Sequence, residues 1–182
     1  MCSSDLLRAS QIWIASLSAS DHPAQLYRPR TGVTSSQPKW SPDGTQLAFV
    51  SDRGNHSFIS VYDFASKGLT YLDPTVDRDS NPTWSPDGKQ IAFIRNTSGG
   101  SGGGGGRGGR RAGDPWAIRV AAVSDGAGRQ IWRAESGPGS VFHNTESPDA
   151  LFWAAGDRIV FPWERDGWVH LYSVAEIGRA HV

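Results

Sequence analysis

Two stretches of this chain, KWSPDGTQLAFV at 39–50 and TWSPDGKQIAFI at 83–94, are near copies, and Trp40 and Trp84 at their heads stand 44 residues apart. A period of about 40 to 50 residues is the length of one four-stranded β-propeller blade. Each copy carries a turn with a mechanism. Pro42 and Pro86 preset φ at the first central position, Asp43 and Asp87 bond back to the backbone, and Gly44 and Gly88 accept the positive φ that returns the chain. A hairpin follows, PKW pairing with QLAFVS and PTW with QIAFIR. In the second strand Ile91 and Phe93 alternate with Ala92 and Ile94, so both faces are apolar, as a sheet sandwiched between neighbouring blades requires.

Two further strands complete the first blade, FISVYDF (58–64) and LTYLD (69–73), with a turn at Ser66-Lys67-Gly68. DPWAIRVAAV and GRQIWRA supply the outer strands of the second. ALFWAAGDRIVFPWERDGWVHLYSVA then repeats the grammar: Trp153 replaces Trp84, Ala-Gly-Asp replaces the proline turn, and RIVFPW and WVHLYSV are the second and third strands. At the front, QIWIASL and AQLYRPR are expected to be the last two strands of a preceding blade. The fold expected is all-β: a partial, open propeller of about two to three four-stranded antiparallel blades. Known propellers close with four to eight blades, so this stretch is expected not to close, to expose strand edges and inter-blade faces, and to associate when expressed alone.

Composition agrees. Eight tryptophans and 22 glycines in 182 residues suit an aromatic, turn-rich β protein. Lys plus Arg and Asp plus Glu both total 18, so no global field recruits nucleic acid or an anionic membrane. No apolar run reaches the roughly 20 residues of a membrane helix.

The termini are unusual. If EIGRAHV is written GAG ATC GGA AGA GCA CAC GTC, the opposite strand translates as D-V-C-S-S-D-L, which is the opening MCSSDL with GTG read as a start codon. That DNA resembles a common sequencing-library adapter. On this reading Met1 to Leu6 and Glu176 to Val182 are adapter-derived, residues 7–175 are the native propeller stretch, the native part holds no cysteine, and both true termini lie elsewhere.

Thr97 to Gly113 interrupts the second blade between its second and third strands with TSGGSGGGGGRGGRRAG. Its formal G-x-G-x-x-G (Gly104, Gly106, Gly109) precedes a strand rather than a helix, which removes the dinucleotide reading. A solvated, disordered insertion is expected; the alternative is an Arg-Gly segment touching RNA through Arg107, Arg110 and Arg111.

Catalytic signals are sparse. There is no G-x-S-x-G elbow, and His22, His56, His143 and His170 share no metal-ligand spacing. No cofactor or metal is expected. Asp43 and Asp87 form a recurring acidic pair, but Ser-Pro-Asp-Gly gives them turn work. WERDGW (163–168) is the densest polar and aromatic cluster. It reads either as a salt-bridged hairpin turn with Asp166-Gly167 at its tip or as a loop presenting Glu164, Arg165 and Asp166 to a ligand.

The duplicated W-S-P-D-G-x-Q-(I/L)-A-F is similar to the repeats of TolB-like proteins and of the prolyl oligopeptidase clan of serine peptidases. RIVFPWERDGWVHLYSV resembles more specifically the N-terminal propeller of dipeptidyl peptidase IV-like enzymes, through Trp163, Arg165, Asp166, Gly167, Trp168, His170, Leu171 and Tyr172. The resemblance implies a non-catalytic propeller that gates and positions peptides for a C-terminal α/β-hydrolase domain outside this stretch, in a periplasmic or secreted enzyme. It also implies adjacent glutamates for a substrate amine. Here Glu135, Glu146 and Glu164 are isolated, so either that segment lies elsewhere or the parent is an oligopeptidase or acylaminoacyl-type peptidase. A TolB-like module that binds protein partners without enzymatic activity is the alternative.

Overall fold

The computed structural model describes residues 10–15, 24–27, 32–97, 115–137, 139–142, 149–175 and 180–181. Within them every regular element is a strand, and no helix is long and apolar enough to cross a membrane. A short antiparallel pair, β1 (Trp13–Ile14) and β2 (Ala24–Gln25), leads the chain. Then come β3 (Thr34–Trp40), β4 (Gln46–Asp52), β5 (Ser57–Asp63) and β6 (Leu69–Leu72), each antiparallel to the one before. The next repeat gives β7 (Arg78–Trp84), β8 (Gln90–Asn96), β9 (Ala117–Ala122) and β10 (Gly128–Arg133), paired in the same order. The third gives β11 (Phe152–Ala154), β12 (Arg158–Trp163), β13 (His170–Ala175) and β14 (Ala180–His181). Blades one and two touch edgewise through one parallel bridge, Ser57 opposite Arg78.

The two-faced apolar strands explain the stacking. In β4, Leu47 and Phe49 pack with Ile12, Leu26 and Tyr27 of the leading segment, while Ala48 and Val50 face the second blade. In β8, Ile91 and Phe93 face the first blade, and Ala92 and Ile94 face Ile159, Phe161 and Val174 of the third. All four β8 side chains are fully buried. A single residue's slip would exchange the two interfaces, so the alternation fixes register on both sides at once.

The inner strands hold what the short PKW and PTW reading did not foresee. β3 and β7 run seven residues each, and each breaks register, between Ser36 and Lys39 and between Ser80 and Thr83. Proline lacks the N–H a ladder needs, so Pro38 and Pro82 coincide with a bulge. Gln37 and Asn81 before them take φ of 52° and 53°. These equivalent residues are also joined: the Asn81 N–H donates to Gln37 Oε1 at 2.7 Å. Trp84 Nε1 donates to the Lys39 carbonyl at 2.9 Å. Its counterpart Trp40 is half exposed and stacks on Phe64. Trp84→Phe is therefore expected to lower unfolding free energy by about 1 kcal/mol in urea titration, and Trp40→Phe by less than about 0.5 kcal/mol.

Candidate functional site

The proline turns are built as small closed networks. Asp43 Oδ1 accepts from Ser41 Oγ at 2.6 Å and the Thr45 N–H at 3.1 Å, and Ser41 Oγ accepts from the Gln46 N–H at 2.9 Å. Ser85, Asp87, Lys89 and Gln90 reproduce this at 2.7, 3.1 and 2.9 Å. Gly44 and Gly88 stand at φ of 72° and 71°, one residue beyond each aspartate. Hydrogen bonds from Ser41 and then Thr45 hold the Asp43 carboxyl below its ordinary range, and those from Ser85 and Lys89 do the same for Asp87. In both turns the Oδ1 atom ties the carboxylate to its own loop.

WERDGW lies at the opposite end of its blade, between the second and third strands. Glu164, Arg165 and Asp166 follow β12 directly, and Gly167 turns the chain at φ 89°. Arg165 Nη2 reaches both Glu135 oxygens at 3.2 and 3.3 Å, its guanidinium carbon 5.5 Å from the Trp163 ring centroid. Asp166 Oδ1 accepts from the Trp168 N–H at 3.4 Å and stands 3.7 Å from His170 Nε2. Trp168 is 74% exposed. The turn therefore carries an ion pair, Arg165 with Glu135, and also presents an aromatic ring outward. The first blade has a related corner, where Arg53 lies 5.3 Å from the Phe58 and Tyr71 rings.

Beneath WERDGW is a staple with no sequence signal. The Gly139 carbonyl accepts from two indoles, Trp116 Nε1 at 3.0 Å and Trp163 Nε1 at 2.8 Å. Trp116, Trp132, Phe142, Phe161, Trp163 and Tyr172 surround these bonds as a continuous aromatic cluster.

Sequence reasoning also missed a charged network at the base of the second blade. Arg95, 6% exposed, ends the apolar run of β8. It donates from Nε and Nη2 to the two Asp79 oxygens at 2.7 and 2.8 Å, and to Asp73 Oδ2 at 3.0 Å and the Asp73 carbonyl at 2.6 Å. Arg119 Nε donates to the same Asp73 oxygen. Burial pushes the Asp79 carboxyl up to about 6, against the pull of Arg95. Asp73 belongs to the connection between blades, so the network ties one blade to the next. It floors an open cleft of about 320 Å³ lined by Asp77, Gln130 and Arg133 among others. The available clue was a charged residue in an apolar alternation, at the position Ser51 holds in the first repeat.

His170 is exposed at the WERDGW turn, and His56 sits 4.8 Å from the Phe58 ring. Among the described residues no group of three or more His, Cys, Asp or Glu could hold a metal. His22, His143, Glu146, the arginines and glycines of 98–113, and the adapter-like termini apart from Ala180–His181 lie outside the described residues.

Four-stranded antiparallel repeats, stacked face to face through apolar layers and open at the ends, define part of a β-propeller. No protein-family profile matches the chain, and no curated protein does. Solved structures do match in fold. An oligogalacturonate lyase in complex with manganese aligns at TM-score 0.64 and 18% identity, over 93% of this chain and 42% of its own. A Mycobacterium tuberculosis puromycin-hydrolyzing peptidase aligns at 0.60 and 18%, over 91% and 27%. A protein described as TolB from Agrobacterium tumefaciens aligns at 0.55 and 22%, over 87% and 51%. The chain thus spans between about a quarter and a half of the proteins it resembles.

Proposed function

We propose that this stretch is the non-catalytic propeller of a serine peptidase of the prolyl oligopeptidase clan, gating and positioning peptides for an α/β-hydrolase domain. The observation that carries the reading is the RIVFPWERDGWVHLYSV hairpin, whose turn offers Arg165, Asp166 and Trp168 outward. Peptidases are among the structures similar in fold. A propeller covering a hydrolase excludes folded proteins and holds a short peptide in a reactive geometry, lowering the entropic part of the barrier. Arg165 and Asp166 would contact the peptide, with Glu164 beside them.

Two measurements test it. Source DNA read outward past Ala175 should continue in frame into a domain with a G-x-S-x-G elbow, and the protein from that frame should react with a fluorophosphonate. In that enzyme, Arg165→Ala should raise KM for a peptide about tenfold and leave fluorophosphonate labelling unchanged. A frame that stops without a hydrolase domain overturns the reading in favour of a TolB-like binding module, to which the TolB fold match lends support.

A further inference from the structure

We infer that the cleft at the base of the second blade binds an α-carboxylate with a neighbouring N–H, the chemistry of a peptide C-terminus or a free amino acid. Three observations lead there. First, the cleft of about 320 Å³ is large enough for a residue-sized group, and five charged side chains, Asp73, Asp77, Arg95, Arg119 and Arg133, stand in its wall. Second, its donors are pre-set. Arg119 is held through Nε by Asp73 Oδ2 and through Nη2 by the Gly128 carbonyl at 3.3 Å, while Nη1 has no partner among the described residues. A guanidinium fixed along one edge loses little entropy when its remaining N–H groups meet a carboxylate. Third, an acceptor lies alongside: Asp73 directs Oδ2 to both arginines, whereas Oδ1 accepts no bond from a described residue.

The charge balance selects among anions. Arg95, Arg119 and Arg133 in the wall face Asp73 and Asp77, with Asp79 behind Arg95. A phosphate dianion would bring two charges against these acids in a partly desolvated space. A carboxylate brings one charge to Arg119, and the N–H on the same molecule answers Asp73. This site is independent of the WERDGW turn and of any hydrolase domain, so its failure would leave the proposed function untouched.

The test uses the 182-residue chain labelled with nitrogen-15, following the guanidino Nε–Hε resonances of Arg95 and Arg119. Tri-alanine is expected to shift the Arg119 resonance saturably, and tri-alanine amide to bind at least about tenfold more weakly, because it leaves the guanidinium unanswered. Alanine binding as well as tri-alanine supports the site with free amino acids as the source; binding of tri-alanine alone supports a peptide terminus. Arg119→Lys should weaken tri-alanine about tenfold. Should that variant fail to fold, the exposed Gln130→Glu, which adds a negative charge to the wall, should weaken it severalfold. Equal binding of acid and amide, binding of inorganic phosphate without tri-alanine, or indifference to Gln130→Glu would each overturn the inference.

Discussion

Asp79→Ala is expected to destabilise the chain by about 3 to 5 kcal/mol at pH 7, since it strips a buried guanidinium of two of its four hydrogen bonds. Replacing both partners, as Asp79→Leu with Arg95→Met, should restore most of that loss, because a well-packed apolar pair has no charge to desolvate. Acid sharpens the experiment. The native carboxyl, pushed by burial up to about 6 from 3.8, holds its proton more tightly than the unfolded chain does. Its contribution to stability is then fully present below about 4 and declines as pH rises towards 6. The gap between wild type and Asp79→Ala should therefore widen as pH falls from 7 to 4. A gap that closes over that interval would show that Arg95, not burial, governs the carboxyl.

Gly139→Ala is the second large effect, expected at about 3 kcal/mol. A Cβ there would stand 2.3 Å from the Glu164 carbonyl oxygen and 2.7 Å from Trp163 Nε1, on a backbone at φ 75°. Gly156 supplies the control. It has nearly the same φ, 72°, but open space around it, so Gly156→Ala reports the backbone cost alone, about 1 kcal/mol. The two differ by the crowding at the staple. Tryptophan fluorescence should change only for Gly139→Ala, since the Trp163 indole that the new Cβ would strike must move. Equal losses for the two variants would remove the staple from the account.

The strands were largely legible because the signals that build them are local. Ser-Pro-Asp-Gly announces a turn wherever it occurs, and a run with two apolar faces, such as Ile91 to Ile94, announces a sheet covered on both sides. Even the third repeat, without its proline, kept Trp153 and an Ala-Gly-Asp turn with Gly156 and Asp157 at positive φ. The bulges were not legible, because a proline says a ladder bond is missing but not that Gln37 and Asn81 will take left-handed geometry and link to each other. The Gly139 staple and the Arg95 network escaped for a different reason. Each joins residues far apart in sequence: Gly139 lies 23 residues from Trp116 and 24 from Trp163, and Arg95 lies 22 from Asp73. WERDGW could be located by its density of chemistry, yet its ion pair with Glu135 spans 30 residues, and no local pattern encodes that.

The inter-blade bonds also bear on how such a chain is made. Trp84 reaches back to Lys39, the Asn81 amide to Gln37 and Arg95 to Asp73, so each repeat finds its docking groups on a repeat that left the ribosome earlier. A nascent propeller of this design can therefore assemble from its first blade onward, every new sheet settling on a surface already formed, without waiting for its C-terminal half.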